Sequence, residues 1–462
     1  MKAIRPAVFS LALMSVAIAP AHAQHFPKDP EVLALLQERV DAGGAVGIAI
    51  GLLEADGSIR TLEAGSAGMG EDPLSPTTLF EIGSITKVFT GTLLADMVGR
   101  GEVSLDDPVR AYLPAGVTMP SRNGTEITLA DLSSHRSSLP RLPDNMAPAD
   151  MSDPYADYTA DMLYDFLSSH ELRRDIGTEA EYSNLGAGLL GHVLAEHLRM
   201  TYEAAVRERI LEPLGMDMTV IELSTEMDVP MAKGHDPGGD VVPLWNVATL
   251  AGAGGLRSNV QDMLHFVAAN IGEPSSELER AMRAAHAVRH PMGESMEIGL
   301  NWITRTTDGR RIVWHNGGTA GFRTFIGFDP DAEVGVVVLT NSGIGADDIG
   351  FHLLNRNIPL APPPVPGFLR REVVDVDRAT LERYVGEYAL AGQTRSFGIS
   401  RDGDALYARF YELPPIELMA RSKEEFSLRW TAAKVVFDLD AAGAPTAMTF
   451  HIGGDELHAT KK

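Results

Sequence analysis

Residues 83–99 read GSITKVFTGTLLADMVG, in which Ile85, Val88, Phe89, Leu93 and Met97 recur at helical spacing and Gly99 supplies a C-terminal stop. Ser84 therefore begins a buried helix, and Lys87, three residues on, shares its face. A hydroxyl is a poor nucleophile until a neighbour accepts its proton, and a lysine in a dry apolar pocket has a lowered pKa and can do so. The helix N-terminus adds a positive field and backbone N–H groups where negative charge would develop. Taken alone, the same four residues also read as a serine N-cap followed by a solvated lysine. No other lysine in the chain has a serine three residues before it.

Working outward, strand-like runs at 45–65 (AVGIAIGLLEADGSIRTLEAG) and 311–341 bracket a long middle rich in helical periodicity. That arrangement predicts one sheet whose strands come from both ends, covered by helices. Prolines at 359, 362, 363, 364 and 366 break the pattern and mark a linker over 358–374. Beyond it, 384–460 alternates short strands with turn signals: Tyr384–Leu390, Ser396–Ser400, a hairpin turn at Arg401-Asp402-Gly403-Asp404, Ala405–Phe410 and Lys434–Asp440. This predicts a small antiparallel barrel or sandwich.

Composition narrows the function. The 462 residues carry 39 Lys and Arg against 63 Asp and Glu, a net charge of −24, so phosphate backbones and anionic membrane surfaces are disfavoured partners. With no cysteine there is no disulfide, thiolate metal site or catalytic thiol. Residues 1–23 place Lys2 and Arg5 before a short apolar run ending in Ala21-His22-Ala23, which predicts a secretory signal cleaved after Ala23 and a secreted or periplasmic protein. No later segment is apolar enough to predict a membrane span.

Two further motifs carry chemistry. In Tyr182-Ser183-Asn184, a phenol beside an ammonium group loses its proton more easily, and Asn184 offers a donor and an acceptor to a substrate amide; a packed aromatic with an Asn cap is the plainer alternative. His315-Asn316-Gly317-Gly318 follows a strand-like run, and its glycines let a substrate lie along the strand edge, with the Gly318 N–H available to an oxyanion. His451-Ile452-Gly453 repeats the His-x-Gly pattern and reads as an edge-strand turn. His286 and His290 form the one helical-looking i,i+4 histidine pair and read as a solvated helix face rather than a metal site. There is no Gly-x-Ser-x-Gly elbow and no His-Glu-x-x-His.

Ser-x-x-Lys, Tyr-x-Asn and His-x-Gly in that order resemble the penicillin-recognising serine hydrolases: class C β-lactamases, low-molecular-mass DD-peptidases, D-aminopeptidases and related esterases. FEIGSITKVFTG, EVSLDDPVRAYLP, ITLADLSSH, EYSNLGAGLLG, EPLGM, AGGLRSN and HNGGTAGFRTFIGFDP extend the resemblance over about residues 30–355. It implies an α/β (α+β) fold in which helices flank a central antiparallel sheet. Ser84 is then the acylated nucleophile, Lys87 its proton acceptor, Tyr182 a base and then an acid to the leaving group, and Asn184 a substrate-amide ligand. The Ser84 and Gly318 N–H groups form the oxyanion hole. His315 stands where class C β-lactamases carry lysine and Asn316 where they carry threonine, which weakens the expectation of β-lactamase activity itself. Ser137-Ser138 stands where relatives show Ser-Gly, and His135 beside it reads as structural. The C-terminal segment with YVGEY resembles the lipocalin-like domain appended to some of these hydrolases.

The expected organisation is a signal at 1–23, a hydrolase domain at 24–357, a linker at 358–374 and a β domain at 375–462. The expected function is a secreted serine hydrolase, without cofactor or metal, that acts through acyl-Ser84 on D-amino-acid amides, peptidoglycan peptides or β-lactams. Carboxylester hydrolysis on the same residues is the alternative, and a non-catalytic sensor of peptidoglycan fragments is a third possibility that needs no activated hydroxyl. If His315 holds an anionic substrate, binding of carboxylate substrates should weaken above its ordinary pKa of about 6.5.

Overall fold

The two strand-forming ends meet in one sheet. In this computed structural model, which describes residues 24–68, 72–223, 230–293, 295–362, 374–390, 396–410, 415–428, 433–452 and 455–462, eight strands run antiparallel. They are β1 (Gly47–Leu53), β2 (Ile59–Gly65), β3 (His290–Pro291), β4 (Met296–Ile298), β5 (Ile303–Thr307), β6 (Arg310–Gly318), β7 (Arg323–Asp329) and β8 (Val334–Thr340). Their order is β2-β1-β8-β7-β6-β5-β4-β3, so the first and last segments of this region lie side by side, with Ile50 opposite Val338. The expected signal segment and the prolines at 363, 364 and 366 lie outside the described residues.

β1 and β8 are buried along their whole length, as central strands covered on both faces must be. Because side chains alternate across a strand, Ile48, Ile50, Leu52, Val336 and Val338 enter one core. That core is closed by α1 (Asp29–Asp41) and a late helix at Asp347–Leu354. Ala49, Val337, Leu339, Ile326 and Phe328 point the other way, into a larger core with the middle helices. Among these is α2 (Thr86–Gly99), buried on every side from Thr86 to Met97 rather than along one apolar face. Phe89 of α2 stacks on Phe266 at a centroid distance of 4.0 Å.

His286 and His290 do not share a helix. His286 ends the helix Glu277–His286, packs edge-on against Phe328 at 5.3 Å and is pushed down to a pKa of about 4, first by burial and then by Arg283, whereas His290 opens β3. Ser138, at the position where the resemblance implies glycine, holds a left-handed φ of +64°. Its hydroxyl donates to Arg174 O at 2.8 Å and accepts from Arg174 N at 3.2 Å, bonds that a glycine could not make.

The C-terminal strands form a closed antiparallel barrel: β9 (Gly386–Leu390), β10 (Ser396–Asp402), β11 (Ala405–Phe410), β12 (Ile416–Ala420), β13 (Glu425–Leu428), β14 (Lys434–Leu439), β15 (Pro445–Ile452) and β16 (Asp455–Lys461), which returns to pair with β9. Gly403-Asp404 is the predicted two-residue turn, with Gly403 at φ +54°. Tyr384 is not in the first strand. It ends the helix Arg378–Tyr384 and buries its ring against Phe426 and Phe437. Phe397, Leu406, Val435 and Met448 fill the same interior, so the barrel is a packed core.

Candidate active site

Ser84 lies on a single 3₁₀ turn, Gly83–Ile85, that feeds directly into α2. Two glycines let this turn press against the end of β6. Gly83 has a φ of +51°, and a Cβ there would stand 2.7 Å from Gly318 N; a Cβ on Gly317 would stand 1.9 Å from Ile82 O. Ile82 N donates to Leu256 O at 3.1 Å, and Thr324 Oγ1 of β7 donates to Ile82 O at 3.0 Å, so the residues ahead of Ser84 are clamped from two sides.

Lys87, one turn further on, is fully buried. Its Nζ lies 3.0 Å from Ser84 Oγ, 2.8 Å from Asn184 Oδ1 and 2.6 Å from Ala253 O. Burial first, and then the Arg141 guanidinium, hold the amine well below the usual lysine range. Ala253 reaches it because the turn Ala251–Ala253 sits tightly on α3 (Asn184–Leu198): a Cβ on Gly191 would lie 2.8 Å from Gly252 Cα. Thr90 Oγ1 donates to Gly252 O at 2.8 Å and fixes that turn on α2.

Asn184 opens α3, where the Ser183 hydroxyl caps the helix by accepting from Gly186 N at 2.8 Å. Asn184 Nδ2 donates to Tyr155 OH at 3.2 Å. Tyr182, just ahead of the cap, lays its ring 4.8 Å from Lys87 Nζ, 5.0 Å from the Arg141 guanidinium and 4.6 Å from the His135 ring. Burial pushes its phenol up to about 12, against the lowering effects of a hydrogen bond with Ser84 and of Arg141. The expectation that a neighbouring ammonium eases its ionisation is not met: desolvation dominates and raises the phenol.

His315 stands on β6, its ring centroid 6.3 Å from that of Tyr182. It is 1 % exposed, and its Nδ1 donates to Asn316 O at 2.6 Å. Burial, followed by Lys87, pushes its pKa down to about 3, so the expected titration near 6.5 does not survive the geometry. Asn316 is also displaced from its expected role, because alternation along β6 turns it to the opposite face. There its Nδ2 donates to Asp347 Oδ2 at 2.5 Å, and burial holds Asp347 up at about 6. Gly317 makes room for Ile82 O, while Gly318 borders the cleft through its backbone.

That cleft, about 280 Å³, is lined by Ser84, Asn184, Gly318 and Thr319 together with Tyr155 and Trp245, whose rings stand 5.4 Å apart. Beneath it lies Glu81, 4 % exposed, which accepts from Trp245 N at 2.7 Å and stands 3.7 Å from Arg257 Nη2. Among the described residues no group of three or more His, Asp or Glu is placed to hold a metal ion.

A family model described as Beta-lactamase matches residues 32–354. The chain belongs to the Beta-lactamase family. A second model, a domain of unknown function (DUF3471), matches residues 370–461, the region of the barrel. The chain is 28% identical over 360 residues to the D-alanyl-D-alanine-carboxypeptidase/endopeptidase AmpH of Escherichia coli K12, covering 73% of this chain and 92% of the relative. It is 26% identical over 350 residues to a beta-lactamase of Lysobacter lactamgenus, covering 68% and 86%. Among solved structures it is similar to a beta-lactamase/D-alanine carboxypeptidase from Yersinia pestis (TM-score 0.58, 25% identity, 67% of this chain and 93% of that one). The octameric penicillin-binding protein homologue from Pyrococcus abyssi shares the fold over 93% of this chain and all of its own (TM-score 0.62, 23% identity).

Within this member of the Beta-lactamase family, the structure brings together Ser84, Lys87, Tyr182, Asn184, His315, Gly317 and Gly318, and turns only the Asn316 side chain away. Sequence reasoning did not find Arg141, Tyr155, Trp245, Glu81 or Ala253. Glu81 left a trace as a lone charge inside the apolar run ahead of Ser84, and Ala253 as part of the small-residue run AGAGG. Arg141, Tyr155 and Trp245 lie in irregular segments that carry no periodicity to read.

Proposed function

We propose that this protein is a secreted serine hydrolase that forms an acyl-enzyme on Ser84 and acts on D-amino-acid amides, peptidoglycan peptides or β-lactams. The observation that carries this reading is the surroundings of Lys87 Nζ. Nζ donates to Asn184 Oδ1 and Ala253 O and stands 3.0 Å from Ser84 Oγ; once the amine is neutral those two acceptors hold its two hydrogens and its lone pair is left for the Ser84 hydroxyl. Lys87 is accordingly the base and Tyr182, its phenol held protonated, the acid to the leaving group; pKa values pushed apart in one site divide the two roles.

On attack, the Ser84 Oγ–carbon bond forms as its proton passes to Lys87 Nζ, and the leaving group departs with the Tyr182 proton. The Ser84 and Gly318 N–H groups take the oxyanion, Asn184 orients the substrate amide, and water then releases the acyl group. Export rests on the signal pattern at residues 1–23. Among the described residues, no helix is long and apolar enough to cross a membrane.

Hydrolysis of neutral esters on the same residues is a second reading, favoured by the neutral His315, which offers a substrate carboxylate no charge.

Intact-mass spectrometry after mixing with a penicillin tests the proposal, with Ser84→Ala alongside. An adduct confined to the wild type is expected, persistent for a DD-peptidase and transient with drug loss for a β-lactamase. A stable adduct on the Ser84→Ala variant would remove Ser84 from the mechanism, and the absence of both adduct and drug loss would shift the assignment to neutral esters.

A further inference from the structure

Four groups face the Tyr182 ring, each from a different element. Lys87 comes from α2, His315 from β6, His135 from the turn after the helix Leu129–Ser133, and Arg141 from the segment ahead of α3. Burial opposes the charge on three of them. Lys87 and His135 are lowered well below their ordinary values, chiefly by burial, and His315 is pushed down to about 3. A guanidinium does not lose its proton in a protein. Among the described residues facing the ring, Arg141 is therefore the one whose charge no proton transfer removes, and it stands 5.0 Å from the ring centroid. Its main chain is held in place: Asn184 N and Leu185 N, at the start of α3, donate to Arg141 O at 3.0 and 3.1 Å. The backbone that opens the helix bearing Asn184 thus also anchors the main chain from which the guanidinium reaches the phenol.

We propose that Arg141 is a positioning residue that stabilises the phenolate of Tyr182 while the phenol proton is on the leaving group. This rests on the acid role assigned to Tyr182 above. In the step, the Ser84 Oγ–carbonyl bond forms and the carbon–oxygen bond to the leaving group breaks. The Ser84 proton goes to Lys87 Nζ and the Tyr182 proton to the leaving oxygen. The Lys87 ammonium then returns its proton to the phenolate, and both groups regain their starting forms. The phenolate exists only inside this step, so the help a cation on the ring face gives to Tyr182 is realised in the transition state.

The demand for this help scales with the basicity of the leaving group. A p-nitrophenolate leaves without a proton, and a benzyl alkoxide does not. The test uses N-acetyl-D-alanine esters of p-nitrophenol, phenol and benzyl alcohol, with kcat/KM measured for the full-length wild type, Arg141→Met, Arg141→Lys and Tyr182→Phe. Arg141→Met is expected to lose about tenfold on the benzyl ester and less than about twofold on the p-nitrophenyl ester, with Arg141→Lys close to wild type. Tyr182→Phe should show the same trend more steeply.

A loss of equal size on all three esters would place the effect of Arg141 on Lys87 or on the fold rather than on the phenolate and overturn the proposal, as would no loss on any. If either occurs while Tyr182→Phe keeps its slope, the acid role of Tyr182 stands without Arg141. A flat profile for Tyr182→Phe, or no hydrolysis of any ester by the wild type, overturns the acid assignment and this proposal with it.

Discussion

Gly317→Ala changes one hydrogen to a methyl group beside β6, yet its effect should fall on Ser84. The new Cβ would stand 1.9 Å from Ile82 O and 2.3 Å from Thr324 Oγ1. Real Cβ contacts do not go below 3.0 Å, so the carbonyl must retreat from 1.9 to at least 3.0 Å, a shift of 1.1 Å. The atom that has to move belongs to a backbone clamped by Leu256 O and Thr324 Oγ1, two residues ahead of Ser84, so the turn moves with it. A misplacement of about 1 Å in a reacting group costs on the order of 100-fold in rate. The overpacking costs about 1–3 kcal/mol, which a folded domain tolerates. Acylation is followed by stopped-flow release of p-nitrophenol and stability by urea denaturation. Two neighbours calibrate the result. At Gly318 the atoms nearest the added Cβ belong to the Arg323 side chain, the first at 3.2 Å and not a backbone atom, and at Gly345 it meets nothing within 4 Å. The expected order of damage is Gly317→Ala far above Gly318→Ala, with Gly345→Ala silent. A Gly317→Ala enzyme within about threefold of wild type would refute the claim that this strand end sets the position of Ser84.

Three other outcomes follow from the geometry. His315 is held near a pKa of 3 against an ordinary 6.5, so between those values the unfolded chain binds a proton that the folded one refuses. Stability therefore falls as the pH drops from 6.5 toward 3, and urea midpoints of wild type and His315→Asn should converge on acidification; a constant gap would contradict the burial of a neutral ring. Asn316→Ala should cost about 1–2 kcal/mol through the lost bond to buried Asp347 while leaving kcat/KM nearly unchanged, and a large rise in KM would return Asn316 to the substrate side. Glu81→Ala strands Arg257 and leaves Trp245 N without its acceptor, for a loss of about 3 kcal/mol in chemical denaturation, whereas Glu81→Gln keeps the acceptor and should lose less.

Legibility in the sequence followed the range of the interactions involved. The helix after Ser84, the strands at either end of the hydrolase region and the Gly403-Asp404 hairpin are local patterns, and each is present in the fold. Registration of His315 and Asn316 on β6 was also local, yet which neighbour each meets was not. A period of two says only that they face opposite ways, and the distant Asp347 settles which one leaves the cleft. Tyr384 shows the same limit at a boundary, where burial against Phe426 and Phe437 accompanies a helical end that strand-like composition had hidden.

By itself the sequence determined the ingredients: a hydroxyl and an amine one helical turn apart, a phenol and an amide at a helix start, and glycines at a strand end. Tertiary structure decided their protonation. Whether Lys87 is an ammonium or an amine, Tyr182 a phenolate or a phenol, and His315 a cation or a neutral ring depends on desolvation and on Arg141. Desolvation is set by every segment packed around a group at once, and no window of sequence contains that information.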